Sequence, residues 1–257
     1  MNLKELREEA WAIAREVGTT DTDRLWTTKE MNRYINRVYR YIARETRCIR
    51  DAQTAAVCRI NVAPPADYAA LQALALTDPF YADDLAGYND PTSWLYHKLV
   101  APRVLPISPL VIDIDEMKWN LSPWKLVAAT VSKWQTNPFW ERVVGHPTEY
   151  AKDYQNGYVA LNYRTTSTDA LLMTTRRMPL KDLLADTDVP EYRLHYHDFM
   201  INGILEQMFD KRDTETVDPS AVSKYRALYM RDVDEVKQQE MLFDQRLKVN
   251  ASMDAFR

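Results

Sequence analysis

Apolar positions recur along this chain with a helical period at both ends and a shorter, broken period in the middle. From Asn2 to Val17, the residues Leu3, Leu6, Ala10, Ile13, Ala14 and Val17 share one helix face, and Gly18 is a favourable stop. A polar turn, Thr19 to Asp23, follows. Thr27 with Glu30 three residues on has the pattern of a capping box, with the apolar Trp26 in the staple position. The helix this predicts runs to about Arg47. Its apolar set is Met31, Tyr34, Ile35, Val38 and Ile42, and its arginines are Arg33, Arg37, Arg40, Arg44 and Arg47. At about 100° per residue the two sets point in roughly opposite directions. One face is expected to pack on the first helix and the other to present a ladder of guanidiniums.

From Thr54 to about Arg177 the pattern changes. Residues 56 to 62 alternate as a strand does, and Leu105 to Asp115 also reads as strand. The stretch from Ala63 to Val100 has no sustained period and reads as loops and short helices. Ser122 as cap and Pro123 at the first turn predict a short helix carrying Trp124, Val127, Val131 and Trp134. Two further strands, Tyr150 to Asn162 and Ala170 to Arg177, flank the polar turn 165 to 169. Helical spacing then returns. Val189-Pro190-Glu191 reads as opening a helix with Leu194, Asp198, Ile201, Leu205 and Met208 on one side. Asp218-Pro219 starts a last helix of roughly 30 residues. Val222, Tyr225, Tyr229, Val233, Val236, Phe243 and Leu247 form its stripe.

The expected class is α+β and mostly α: a helical bundle built from both chain ends with a small β-rich insertion in the middle. The expected divisions are a helical hairpin at 1–53, the insertion at 54–178, completing helices at 179–248 and a flexible tail at 249–257.

Composition narrows the function. With 257 residues, 46% hydrophobic and 27% charged, the chain has material for its own core and is neither fibrous nor disordered. No apolar run reaches the roughly 20 residues that span a bilayer, and the charged start lacks the apolar stretch of a secretory signal. Neither membrane spanning nor export by that route is expected. Cys48 and Cys58 are too few for a disulfide framework or a zinc site. The net charge of −4 does not suit a chain that coats nucleic acid. Five glycines, all scattered singly, leave no phosphate-binding loop or nucleophile elbow.

Candidate chemistry is sparse. His195 and His197 stand about 200° apart on a helix and cannot share an ion there, so one ring is expected in the core and the other in solvent. His97 and His146 are isolated. Cys48 lies near Arg47 and Arg50, which could activate its thiol, but a semi-buried structural cysteine is the simpler reading. Asp113 with Asp115, and Asp83 with Asp84, are carboxylate pairs of a kind common on solvated surfaces. No enzyme activity, cofactor or metal is expected. The arginine ladder is the distinctive feature. Residues 28 to 50 carry seven basic side chains against Glu30 and Glu45, a local net of +5, with Tyr34, Tyr39 and Tyr41 interleaved. Such a face could be merely solvated, could meet an acidic neighbouring subunit, or could grip phosphates.

The N-terminal residues also carry a resemblance. Leu3, Leu6-Arg7, Thr20 to Asp23, Leu25-Trp26-Thr27, Glu30-Met31, Tyr34-Ile35-Asn36 and Tyr41 to Thr46 resemble the start of head-to-tail adaptor proteins of tailed bacteriophages, also called connector or head-completion proteins. Looser matches are Phe139-Trp140, Gly145, Pro147, Tyr150-Ala151 with Asp153, and Met178-Pro179-Leu180. Val189-Pro190-Glu191-Tyr192 with Tyr196-His197-Asp198 also matches loosely. Pro64-Pro65-Ala66-Asp67-Tyr68 departs from the family's usual strand start.

The resemblance implies a virion structural protein of the neck, made in the host cytoplasm. Copies of the chain, usually twelve, would form a ring under the portal protein, extend the channel for packaged DNA and offer the tail a platform. Arg33, Arg37, Arg40, Arg44 and Arg47 would then be subunit or DNA-channel contacts. The tail residues Val249, Met253, Phe256 and Arg257 would dock on the portal. The alternatives are a nucleic-acid-binding module using the same arginines, or a different neck or tail protein of the same virion.

Overall fold

The computed structural model describes residues 1–15, 20, 24–62, 103–137, 140, 143, 145–152, 154, 156–163, 165, 169–211 and 218–254, with side chains through 245. Gly18, most of the turn after it, the stretch 63–102 and residues 255–257 lie outside that set. The chain divides into two units. Unit 1 is residues 1–50 with 176–257, and unit 2 is 51–175.

Unit 1 is helical. α1 (Leu3–Ile13) starts with a complete capping box between Asn2 and Glu5. It ends earlier than its stripe suggested: Ala14 caps it and Arg15 turns left-handed at φ 56°. Trp11 takes an inward position, with the Arg24 guanidinium 3.8 Å over its ring. α2 (Thr28–Thr46) has the expected Thr27–Glu30 box, and Arg47 closes it in the left-handed region. Its buried side is wider than the apolar set alone, taking in Asn36, Tyr39, Ala43 and Thr46. The reason is that α2 packs on three helices: α1, α5 (Phe199–Phe209) and α6 (Pro219–Asp254). Trp26 reaches across to this packing. Its indole N–H donates to the Met208 carbonyl at 2.9 Å, and its ring meets Phe209 edge-on.

The expected helix start at Val189-Pro190-Glu191 is not helical. Glu191 is committed elsewhere: its N–H donates to the Tyr39 hydroxyl, its carboxylate accepts from Leu180 N–H, and it pairs with Arg177 at 2.6 Å. A 3-10 turn (Leu194–Tyr196) and then α5 follow. Leu194 is accordingly exposed, while Ile201, Leu205 and Met208 enter the core as expected. α6 buries a narrow stripe, Tyr229, Asp232, Val233, Val236 and Glu240. Arg176, itself buried, holds Glu240 at 3.3 Å and pairs with Asp244, and Tyr196 donates to the same Glu240 at 3.0 Å. The helical backbone of α6 continues through Asp254 and so includes Val249 and Met253. Phe256 and Arg257 lie outside the described residues.

Unit 2 overturns the expected fold class. It is not a small insertion into a helical bundle but nearly half the chain, built around a curled, mixed sheet. Eight strands are described: β1 (Arg50–Asp51), β2 (Arg59–Asn61), β3 (Val104–Pro106), β4 (Val111–Trp119), β5 (Lys125–Ala128), β6 (Glu149–Ala151), β7 (Tyr158–Leu161) and β8 (Ala170–Arg177). Their order is β1-β8-β4-β5-β6-β7-β3, with β2 also pairing on β8. Most pairs are short and antiparallel, and β5–β6 is parallel, with Val127 opposite Glu149. The expected strand over 56–62 is half helix, α3 (Ala55–Cys58), before β2 begins.

The helix read from Ser122 begins as a turn and a strand and is helical only at its end. Ser122 Oγ accepts the Trp124 N–H in a local turn, and β5 then places Leu126 opposite Met117. Only α4 (Val131–Trp134) is helical there. Leu121 and Trp124 stand 84% and 79% exposed at the β4–β5 turn, so the apparent helical stripe does not exist. Unit 2 has two apolar clusters of its own. One holds Met117, Trp119, Leu126, Tyr150, Leu161 and Leu171. The other sets Trp134 and Trp140 over Ala151 and Ala160, so the crossover between the parallel strands covers the sheet with its tryptophans.

Candidate functional site

The ladder on α2 is real as a surface. Arg33, Arg37, Arg40, Arg44 and Arg47 are all exposed, because the wide buried face leaves only that side to solvent. Their charges, however, are not equally available. Arg40 pairs with Asp182 at 3.3 Å and Arg44 with Glu45 at 3.1 Å. Arg33 lies 5.5 Å over the Tyr34 ring. The Arg47 carbonyl accepts from buried Arg176. Arg37 has no hydrogen bond, ion pair or ring contact among the described residues.

Arg37 instead lines a groove of about 210 Å³ between α2, α5 and α6. Val38 and Tyr41 come from the same helix, Glu206 and Gln207 from α5, and Arg226, Tyr229 and Met230 from α6. Glu206 is buried and its carboxylate takes the Arg226 Nε at 2.8 Å. With Arg37 added, the lining carries one net positive charge over an apolar floor. That floor is rigid for a local reason. Gly203 lets α6 approach so closely that a Cβ there would stand 2.8 Å from Tyr229 Cε2. The Tyr229 hydroxyl is buried with no hydrogen-bond partner among the described residues, and burial pushes its pKa well up. The arrangement suits a carboxylate carried on an apolar segment. It offers no nucleophile beside a base.

The remaining candidates sort simply. His195 is exposed and His197 buried, as expected from their spacing. His197 Nε2 lies 3.1 Å from the Tyr192 carbonyl oxygen and Nδ1 2.9 Å from the Met1 amine. Burial holds its pKa down, and the positive amine adds to this. Cys48 and Cys58 are buried free thiols, and burial pushes Cys48 up to about 11, the opposite of activation by its arginine neighbours. Asp113 pairs with Lys152. No group of three or more His, Cys, Asp or Glu could hold a metal ion among the described residues. His97, Asp83 and Asp84 lie outside the described residues, as do the side chains of Val249 and Met253.

The sequence reading singled out Arg37 but missed Glu206, Arg226, Tyr229 and Met230. One signal was there: Glu206 is the only charge in the largely apolar α5 sequence FMINGILEQMF, and a lone charge in such a run marks a buried, paired group. No protein-family model matches the chain, and no curated protein matches it significantly.

Proposed function

We propose that the chain is a head-to-tail adaptor of a tailed-phage neck, a structural protein whose copies form a ring beneath a portal. The ring, twelve copies in the family pattern, lengthens the channel for packaged DNA and gives the tail its platform. The observation that supports this reading is α2. Within the segment that carries the resemblance, Leu3 to Asp51, α2 is a capped amphipathic helix fixed on its inner side by three others. Its outer side keeps five arginines exposed for contacts outside the chain. In this reading the protein acts by shape and charge, not by catalysis, and the end of α6 with residues 255–257 is the portal anchor.

The test is negative-stain microscopy of the protein with its cognate portal ring, against each alone. A second tier of density below the portal with matching symmetry is expected. No added density over a wide concentration range refutes the adaptor reading. Deleting Asn250 to Arg257 should abolish the tier if those residues are the anchor. The second reading, a nucleic-acid module on the same arginines, is weakened by the carboxylates on Arg40 and Arg44. It requires DNA affinity that falls steeply with salt and with Arg33→Ala and Arg37→Ala.

A further inference from the structure

The segment from Met178 to Arg193 has no regular secondary structure, yet its backbone is firmly held. Leu183 N–H donates to Asn36 Oδ1 at 2.7 Å, and Asn36 Nδ2 returns a bond to the Leu183 carbonyl at 2.9 Å. The N–H groups of Leu184 and Ala185 both donate to Asp188 Oδ2. Leu3 and Lys4 donate from α1 to the carbonyls of Asp188 and Asp186. On this fixed frame Leu184 stands 78% exposed. Beside it the Asp186 side chain is 59% exposed, with only Oδ1 taken, by Arg7 at 2.5 Å. The chain thus presents a preorganised apolar knob with a carboxylate next to it. Docking such a knob costs little ordering entropy.

The groove beside α2 has the opposite character, an apolar floor of Val38, Tyr41, Tyr229 and Met230 with the unpartnered Arg37 at its rim. The loop is bonded to α2 through Asn36, Tyr39 and Arg40. The groove uses Arg37, Val38 and Tyr41. At about 100° per residue the two sets centre roughly 150° apart around the helix. Knob and groove therefore lie on opposite flanks of α2 and cannot meet within one chain. Between copies the contact can close as a two-fold pair or continue head to tail, and only the second leaves a knob and a groove free for a third copy.

We propose that the groove receives Leu184 and the Asp186 carboxylate of a second copy of this chain, so that copies join head to tail. The inference rests on the adaptor reading only in that a head-to-tail contact which closes makes a ring. Leu184 fills the apolar floor, and Arg37 donates to the free Oδ2 of the incoming Asp186 carboxylate in a charge-assisted hydrogen bond. An open assembly of any length then leaves one knob and one groove free, at its two ends, until the ring closes.

The test places Leu184→Cys and Met230→Cys in one chain. Both positions are exposed, and the native cysteines are buried. Oxidation at rising concentration to millimolar, and again with the portal ring present, should give a ladder of covalent multimers beyond the dimer. Each single-cysteine variant should stop at the dimer. Arg37→Glu and Leu184→Ser should each weaken self-association by roughly tenfold in sedimentation without lowering the melting temperature. No multimer beyond the dimer in either condition overturns the contact, as does unchanged association in both variants. Multimers without a portal tier uphold the contact and sink the adaptor reading. A portal tier without multimers does the reverse.

Discussion

Two buried tyrosines separate what a hydroxyl contributes from what its ring contributes. The Tyr39 hydroxyl accepts the Glu191 N–H at 2.8 Å, whereas the Tyr229 hydroxyl has no partner among the described residues. Leaving a buried N–H unpaired costs about 1–3 kcal/mol, while deleting an already unpaired hydroxyl removes a desolvation penalty. Urea denaturation should therefore show Tyr39→Phe destabilised by about 1–3 kcal/mol and Tyr229→Phe unchanged or more stable. A loss at Tyr229 equal to that at Tyr39 contradicts the account. His197 gives a pH dependence with a fixed sign. Its folded pKa lies below its unfolded value of about 6.5, first through burial and then through the Met1 amine. The unfolded chain thus binds the proton more readily, so stability is full above about pH 6.5 and falls as pH drops through it. Glu149, held down by Lys133 and Trp134, acts lower, below about pH 4.5. Denaturation midpoints between pH 7.5 and 5 should decline for the native chain and stay flat for His197→Gln. An equal decline in both would assign the effect elsewhere.

At the scale of elements, the contact of α5 with α6 depends on one missing Cβ. Alanine at position 203 would gain about 0.5–1 kcal/mol of helix propensity. It would also place a Cβ 2.8 Å from Cε2 and 3.0 Å from Cδ2 of the Tyr229 ring, which is packed in the core and cannot swing aside freely. Overpacking of this kind costs about 1–3 kcal/mol, so the clash should win. Gly203→Ala should lower the melting temperature by several degrees, and Gly203→Ala with Tyr229→Leu should recover part of the loss. α2 was legible from sequence because its cap, stripe and arginines agree locally, and so was the start of α6, where the Asp218 carboxylate takes the N–H groups of Ser220 and Ala221. The strand Ala170–Arg177 was legible too, but the short strands were not, because their reasons are remote: β2 finds its register on β8, with Ile60 opposite Leu171. Trp124, Val127, Val131 and Trp134 imitate one helix stripe, and the pairing of Leu126 with Met117 and of Val127 with Glu149 shows that the chain is extended over 125–128. The groove was half legible for the same reason. Arg37 announces itself within α2, but Glu206 and Arg226 acquire meaning only when α5 and α6 meet it.

At the scale of the whole molecule, the two chain ends share one core although half of the sequence separates them. Every member of the largest apolar cluster comes from residues 1–50 or 176–257, from Leu3 and Tyr39 to Tyr196 and Val236. Where the chain leaves this unit and where it returns are adjacent: the Ile49 carbonyl accepts the Arg177 N–H at 3.0 Å. A few residues of Gly and Ser can span that gap in place of Gln53 to Met173. Closing so short a loop costs roughly 2–3 kcal/mol less than closing a flexible one of the length it replaces. Because unit 2 is folded, that figure is an upper bound on the gain. No member of this cluster is lost, and Arg176 keeps Glu240 and Asp244. The shortened chain should thus keep a strongly helical circular dichroism spectrum and melt in one cooperative transition. A broad, non-cooperative melt would mean that the helices need the sheet to hold their packing, and that the shared core of the chain ends is insufficient alone. If the transition is cooperative, the groove and the Leu184 knob are both present in the shortened chain. Its self-association then reports on their contact with the sheet taken away.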